Sequence, residues 1–189
     1  LFRAVKTRRI VSHPFRYLER KRLAQGVLAD SPWRGFIPGQ AGYKAFTQED
    51  IPGLGAVIAT CKQILAAHES QGVDNSQSKK PFFSNLLTTS DLAGHPEILA
   101  FATCPAVTQI VTDYLGAVPR MHCLGIFVSQ STDSTISSQC FHIDEHDFRQ
   151  VKIFVNLDAV AADGGPLTFL PAQETESVCR ALGKGWGSG

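Results

Sequence analysis

The chain has 189 residues, of which 43% are hydrophobic and 19% charged, and its formal net charge is +1. That length corresponds to about one domain, and the composition excludes a disordered or fibrous chain. No run approaches the roughly 20 apolar residues of a membrane span, so no spanning segment is expected.

The charge is unevenly placed. Residues 1–34 hold nine Lys/Arg and two acids, for +7, and the rest of the chain carries −6. Three readings of the basic head are open. It is a nucleic-acid or anionic-membrane arm, a transit peptide, or a solvated arm lying across the acidic remainder. The last is favoured, because no nucleic-acid motif accompanies the charges, and no nucleic-acid partner is expected. Five widely spaced cysteines with no CxxC point to neither a zinc knuckle nor a redox pair. They fit a reducing compartment, and a cytoplasmic location is expected.

Residues 13–25 read as a basic helix starting near His13-Pro14, and 31–45, rich in Pro, Gly and aromatics, as a loop. Thr47 and Asp50 form a variant of the capping box. After it, Leu54, Val57, Ile58, Cys61, Ile64 and Leu65 recur at helical spacing up to His68. Gly72 is the expected stop, and 73–80 a polar loop. Pro96 and Pro105 each predict the start of a short helix, and Gly116 the end of the second. Beyond Pro119 the texture is strand-like, at 121–130, 138–144, 151–157 and 167–170, with a tight turn at Gly164-Gly165-Pro166. Residues 175–182 read as a helix. Helices followed by consecutive strands predict an α+β architecture. Leu1 in place of an initiator Met, and the Gly-rich run 183–189, predict a fragment of a longer protein.

The segment richest in chemistry is Gln139-Cys140-Phe141-His142-Ile143-Asp144-Glu145-His146-Asp147. Two positions apart on a strand, His142 and Asp144 face the same way. An imidazole nitrogen and a carboxylate oxygen offered from one face make a two-point metal clamp. Such pairs supply two of the three ligands in the two-His, one-carboxylate triad of non-haem iron(II) oxygenases. The run continues through Asp147-Phe148-Arg149, the strand from Val151 to Leu157, Asp158 and Val160. It ends with Gly164-Gly165-Pro166-Leu167, Phe169 and Pro171.

This 33-residue run, Gln139 to Pro171, resembles the phytanoyl-CoA dioxygenase family of iron(II)- and 2-oxoglutarate-dependent oxygenases. The resemblance implies N-terminal helices packed on a double-stranded β-helix, or jelly roll. It implies His142 and Asp144 as iron ligands, a second histidine far downstream, and an arginine beyond it for the far carboxylate of 2-oxoglutarate. It also implies dioxygen as co-substrate and the hydroxylation of a small-molecule or acyl substrate. The chain departs from the pattern in its last third. His146 is its last histidine, and Arg180, the only arginine after Arg149, comes too early. His146 joins His142 on one metal only if the chain turns sharply after Asp144.

One oxygenase-like domain, 1–189, is therefore expected. Residues 1–118 form its helical front and 119–189 the first strands of a jelly roll whose second half is missing. The chain alone is expected to be inactive, and unpaired edge strands to favour a homo-oligomer. On the strand at 151–157, Lys152 and Asn156 alternate against Val151, Ile153 and Val155. They either line the pocket, near 2-oxoglutarate or the metal-bound water, or face solvent. Asn85 and Thr88 are further pocket candidates, Phe82-Phe83 is expected to pack the core, and His13, His68, His95 and His122 read as caps or surface groups. The competing reading is a non-catalytic β-sandwich module without a complete metal triad.

Overall fold

The computed structural model describes residues 14–71, 83–129, 140–142 and 149–182. The start of the basic arm, the loop expected at 73–80, most of the strand expected at 138–144, and the Gly-rich end lie outside them. The elements in chain order are α1 (Pro14–Val27), α2 (Leu54–Gln71), β1 (Phe83–Asn85), α3 (Thr89–Gly94), α4 (Pro96–Ala102), α5 (Pro105–Leu115), β2 (Phe127–Ser129), a 3-10 turn (Ala162–Gly164) and α6 (Ala172–Ala181).

Two apolar clusters hold the helices together. In the first, Ile51 and Leu54 at the start of α2 meet Val107, Ile110 and Val111 of α5, with Trp33, Phe36 and Phe46 of the preceding loop packed around them. In the second, Cys61 and Ile64, two turns further along α2, meet Ile98 of α4 and Ile126 just before β2. The spacing of Leu54, Cys61 and Ile64 is the stripe expected from the sequence. Each such aliphatic side chain, once buried, contributes about 1.5–3 kcal/mol. Burial also pushes the Cys61 thiol up, which keeps it protonated and inert.

Proline and glycine set the boundaries of the middle helices. Pro96 and Pro105 stand in the first turns of α4 and α5, where a missing N–H costs nothing. Gly116 ends α5 at φ 70°, and its N–H donates to Thr112 O over 2.8 Å. Pro96–Leu115 spans 20 residues with a mean hydropathy of 1.3, the length and apolarity of a membrane span. This corrects the expectation that no run comes near one. The run is broken between Ala102 and Pro105, however, and it supplies Ile98, Val107, Ile110 and Val111 to the core. A core helix passes the same test of length and apolarity.

The described ladder is small. β1 pairs antiparallel with β2, Ser84 opposite Val128, and Leu86 N extends it by donating to Ile126 O. Side chains alternate across it: Ser84 and Leu86 are buried, while Phe83 and Phe127 stack on the outer face with centroids 4.8 Å apart. Phe83 thus covers the ladder's outside rather than the core. The partner of β2 is the segment before α3, where the sequence had suggested strands further along the chain.

Segments 151–157 and 167–170, expected as strands, run without a ladder. The alternation expected in the first is present only in part. Val151 and Val155 pack on the first cluster and Leu157 on the second, while Lys152, Phe154 and Asn156 are exposed, but Ile153, expected inward with the valines, is 40% exposed as well. Among the described residues, side chains hold this stretch to the helices. Arg149 donates to Tyr114 O over 3.2 Å and lies above the Tyr114 ring. Lys62 meets Asp158. Further on, Phe169 packs edge-on against Tyr43, and Ala172 N donates to Ala41 O over 2.8 Å at the start of α6.

Candidate functional site

His142 is exposed, and its Nδ1 lies 2.8 Å from Cys140 O. A carbonyl oxygen only accepts, so Nδ1 carries the proton in that contact. The neutral ring is then the tautomer whose lone pair sits on Nε2, the nitrogen that ligates metals when Nδ1–H is held by a backbone carbonyl. One of the two expected ligands therefore has its ring oriented by the backbone carbonyl two residues before it. Asp144 and His146 lie outside the described residues. Among the described residues, no three His, Cys, Asp or Glu side chains come together as a metal-binding group.

Lys152 and Asn156 share the outward face of the segment beginning at Val151. The other two pocket candidates have local work. Asn85 Oδ1 accepts from Leu87 N over 3.2 Å, shaping the turn out of β1. Thr88 is the N-cap of α3. Its hydroxyl donates to Asp91 Oδ2 (2.6 Å), its N–H donates to the same oxygen (2.8 Å), and Asp91 N donates to Thr88 Oγ1 (3.1 Å).

Sequence reasoning missed this capping box, although the T-x-x-D at 88–91 repeats the pattern read at 47–50. His68, in the last turn of α2, completes it: its Nε2 lies 2.9 Å from Asp91 Oδ2. The Thr88 hydroxyl and N–H, followed by His68, pull the Asp91 carboxyl down to about 2. This His–Asp pair ties two helices together. Its carboxylate oxygen is already shared among three partners, which suits a structural joint better than a metal ligand.

Two open grooves lie on the helical side. One, of about 410 Å³, is bordered by Gly26 and Val27 of α1 and by Thr103, Thr108 and Gln109. The other, of about 300 Å³, runs between Gly53 and Val57 on one side and Glu97, Phe101 and Cys104 on the other. Glu97 is held below the usual carboxylate range, first by its own backbone N–H, then by His95 and Thr60. Neither groove reaches His142, Lys152 or Asn156. In the comparisons with known proteins, no family model matches the chain, and no curated protein or solved structure does either.

Proposed function

We propose that this chain carries the helical front and the first metal-ligating strand of a non-haem iron(II)- and 2-oxoglutarate-dependent dioxygenase. The run from Gln139 to Pro171 carries this reading, through its resemblance to the phytanoyl-CoA dioxygenase family. His142 Nε2 and the Asp144 carboxylate would hold iron(II), and the Nδ1–H contact to Cys140 O supports His142 as a pre-set ligand. The third ligand would be a histidine outside these 189 residues, with the arginine for 2-oxoglutarate beyond it. An iron so held, with 2-oxoglutarate and dioxygen, supplies C–H hydroxylation with release of succinate and carbon dioxide. The protein's part is to fix two ligands on one strand and to leave the remaining positions open.

The test is metal binding and succinate formation by the product of the complete reading frame. Iron(II) should bind there and be lost in His142→Ala and Asp144→Ala, with succinate formed only when 2-oxoglutarate and dioxygen are present. The 189-residue chain alone should bind iron weakly, because two protein ligands rarely hold it. Metal affinity unchanged by both substitutions, with no succinate formed, would overturn the oxygenase reading and leave a β-sandwich binding module.

A further inference from the structure

The end of α5 lacks a cation of its own. Its last turn holds no basic residue, although the carbonyls there form the negative pole of the helix. Gly116 N takes Thr112 O, while the helix has no N–H of its own for the carbonyls that follow. The N–H four residues beyond Tyr114 belongs to Val118, and it donates to Arg20 O of α1 instead, over 3.2 Å. Tyr114 O is met from a distant segment. Arg149 Nη1 donates to it over 3.2 Å, and the guanidinium carbon lies 5.9 Å from the centre of the Tyr114 ring. Tyr114 is half-buried on a helix whose Val107, Ile110 and Val111 lie in the first cluster. Two residues after Arg149, Val151 packs on that same cluster.

We infer that Arg149 is a positioning residue for the metal site: by gripping Tyr114 it fixes the downstream end of the segment that carries His142 and Asp144. The inference rests on the oxygenase reading above. Arg149 stands five positions after Asp144, and a chain of that length spans at most about 18 Å. Metal ligands must be held to within about 0.5 Å of the productive geometry, so a tether that short serves only if its far end is fixed. Upstream, the Cys140 carbonyl orients the His142 ring. Downstream, Arg149 is the first of the described residues after His142 to touch the helical front. Arginine suits the place because its planar group both donates to a carbonyl and lies over a ring, where a lysine ammonium would supply the charge alone.

Metal titration of the product of the complete reading frame tests this, with iron(II) alone and air excluded. Arg149→Ala should weaken iron(II) binding about fivefold. Arg149→Lys, which keeps a cation on the Tyr114 carbonyl, should recover part of the loss. The control is Lys62→Ala, which cuts the tie between α2 and Asp158, further along the same stretch. It should leave iron affinity unchanged. Arg149 and Lys62 are both exposed, so both alanine variants should keep the helical circular dichroism. Cobalt(II) absorption, which reports ligand geometry, should change in Arg149→Ala and stay the same in Lys62→Ala. The inference is overturned if Arg149→Ala binds iron(II) as the wild type does while His142→Ala does not, and the oxygenase reading then stands without it. It is overturned too if Lys62→Ala weakens binding equally, since the loss would then be general destabilisation. Affinity unchanged in His142→Ala overturns the oxygenase reading and this inference with it.

Discussion

Lys62 Nζ, on α2, lies 2.7 Å from Asp158 Oδ1, 96 positions further along the chain. The pair joins the helical front to the end of the segment that follows Arg149. Its two side chains are 46% and 73% exposed, and water screens so open a pair. In a double-mutant cycle of Lys62→Ala and Asp158→Ala, chemical denaturation should give a coupling below about 1 kcal/mol that shrinks in salt. A larger coupling would mean that the ion pair, rather than Val151, Val155 and Leu157, anchors this stretch.

Thr112 is fully buried on α5, and its hydroxyl has no hydrogen-bond partner among the described residues. Thr112→Val keeps the shape and removes the orphaned hydroxyl, so it should stabilise the fold by about 1 kcal/mol. Thr112→Ser, which keeps the hydroxyl and deletes a methyl, should destabilise by a similar amount. Thermal melts of the two variants should move in opposite directions.

Gly42 has φ +74°, and a Cβ placed there would come within 2.7 Å of the Ala172 Cβ. Gly42→Ala therefore meets both a left-handed backbone and a side chain at the start of α6. A loss of about 1–2 kcal/mol is expected from the backbone alone, with more from the clash. Pairing it with Ala172→Gly should recover the steric part only, which a comparison of the single and double variants by denaturant midpoint would show.

The joint at Asp91 predicts an acid response. Its carboxyl is lowered from 3.8 to about 2 in the fold, so the charged form is the one the fold favours. That contribution is complete above pH 3.8 and is lost as the pH falls towards 2. Asp91→Asn should lower the midpoint at pH 7 and flatten the fall between pH 4 and pH 2 (about two units of acid range). Thr88→Ala should cost about 1 kcal/mol as a lost N-cap. If the acid-limb slope is the same in Asp91→Asn, another carboxylate sets it.

The helical front was readable because local signals acted alone. Pro96, Pro105 and Gly116 each mark a boundary whatever packs nearby, and the stripe Leu54–Cys61–Ile64 needs only one apolar neighbour. The two T-x-x-D boxes show where local reading stops. Thr47 donates its N–H and hydroxyl to Asp50 as Thr88 does to Asp91, yet Asp50 N donates to Thr47 O instead of the hydroxyl, and α2 starts only at Leu54, because Pro52 and Gly53 intervene. In 151–157, alternation marked Val151 and Val155 as inward but wrongly put Ile153 with them, and it did not tell what they lie beside, since period two encodes a face and carries no information about a partner. His142 was legible as a donor, and its tautomer became clear only from the Cys140 carbonyl. His68 was read as a cap or surface group, and only the meeting of α2 with α3 revealed that it caps another helix's box.

Among the described residues, the partners that tie 149–172 to the helical front, Ala41, Tyr43, Lys62 and Tyr114, all come earlier in the chain. A polypeptide leaves the ribosome N-terminus first, so this bed is synthesised whole before Arg149 appears. The late segment docks on a surface that already exists, and its contacts with that surface close long loops. A ribosome stalled soon after Gly116 has emerged from its exit tunnel should thus hold a nascent chain whose α2 and α5 have already met, waiting for the strap that will cross them.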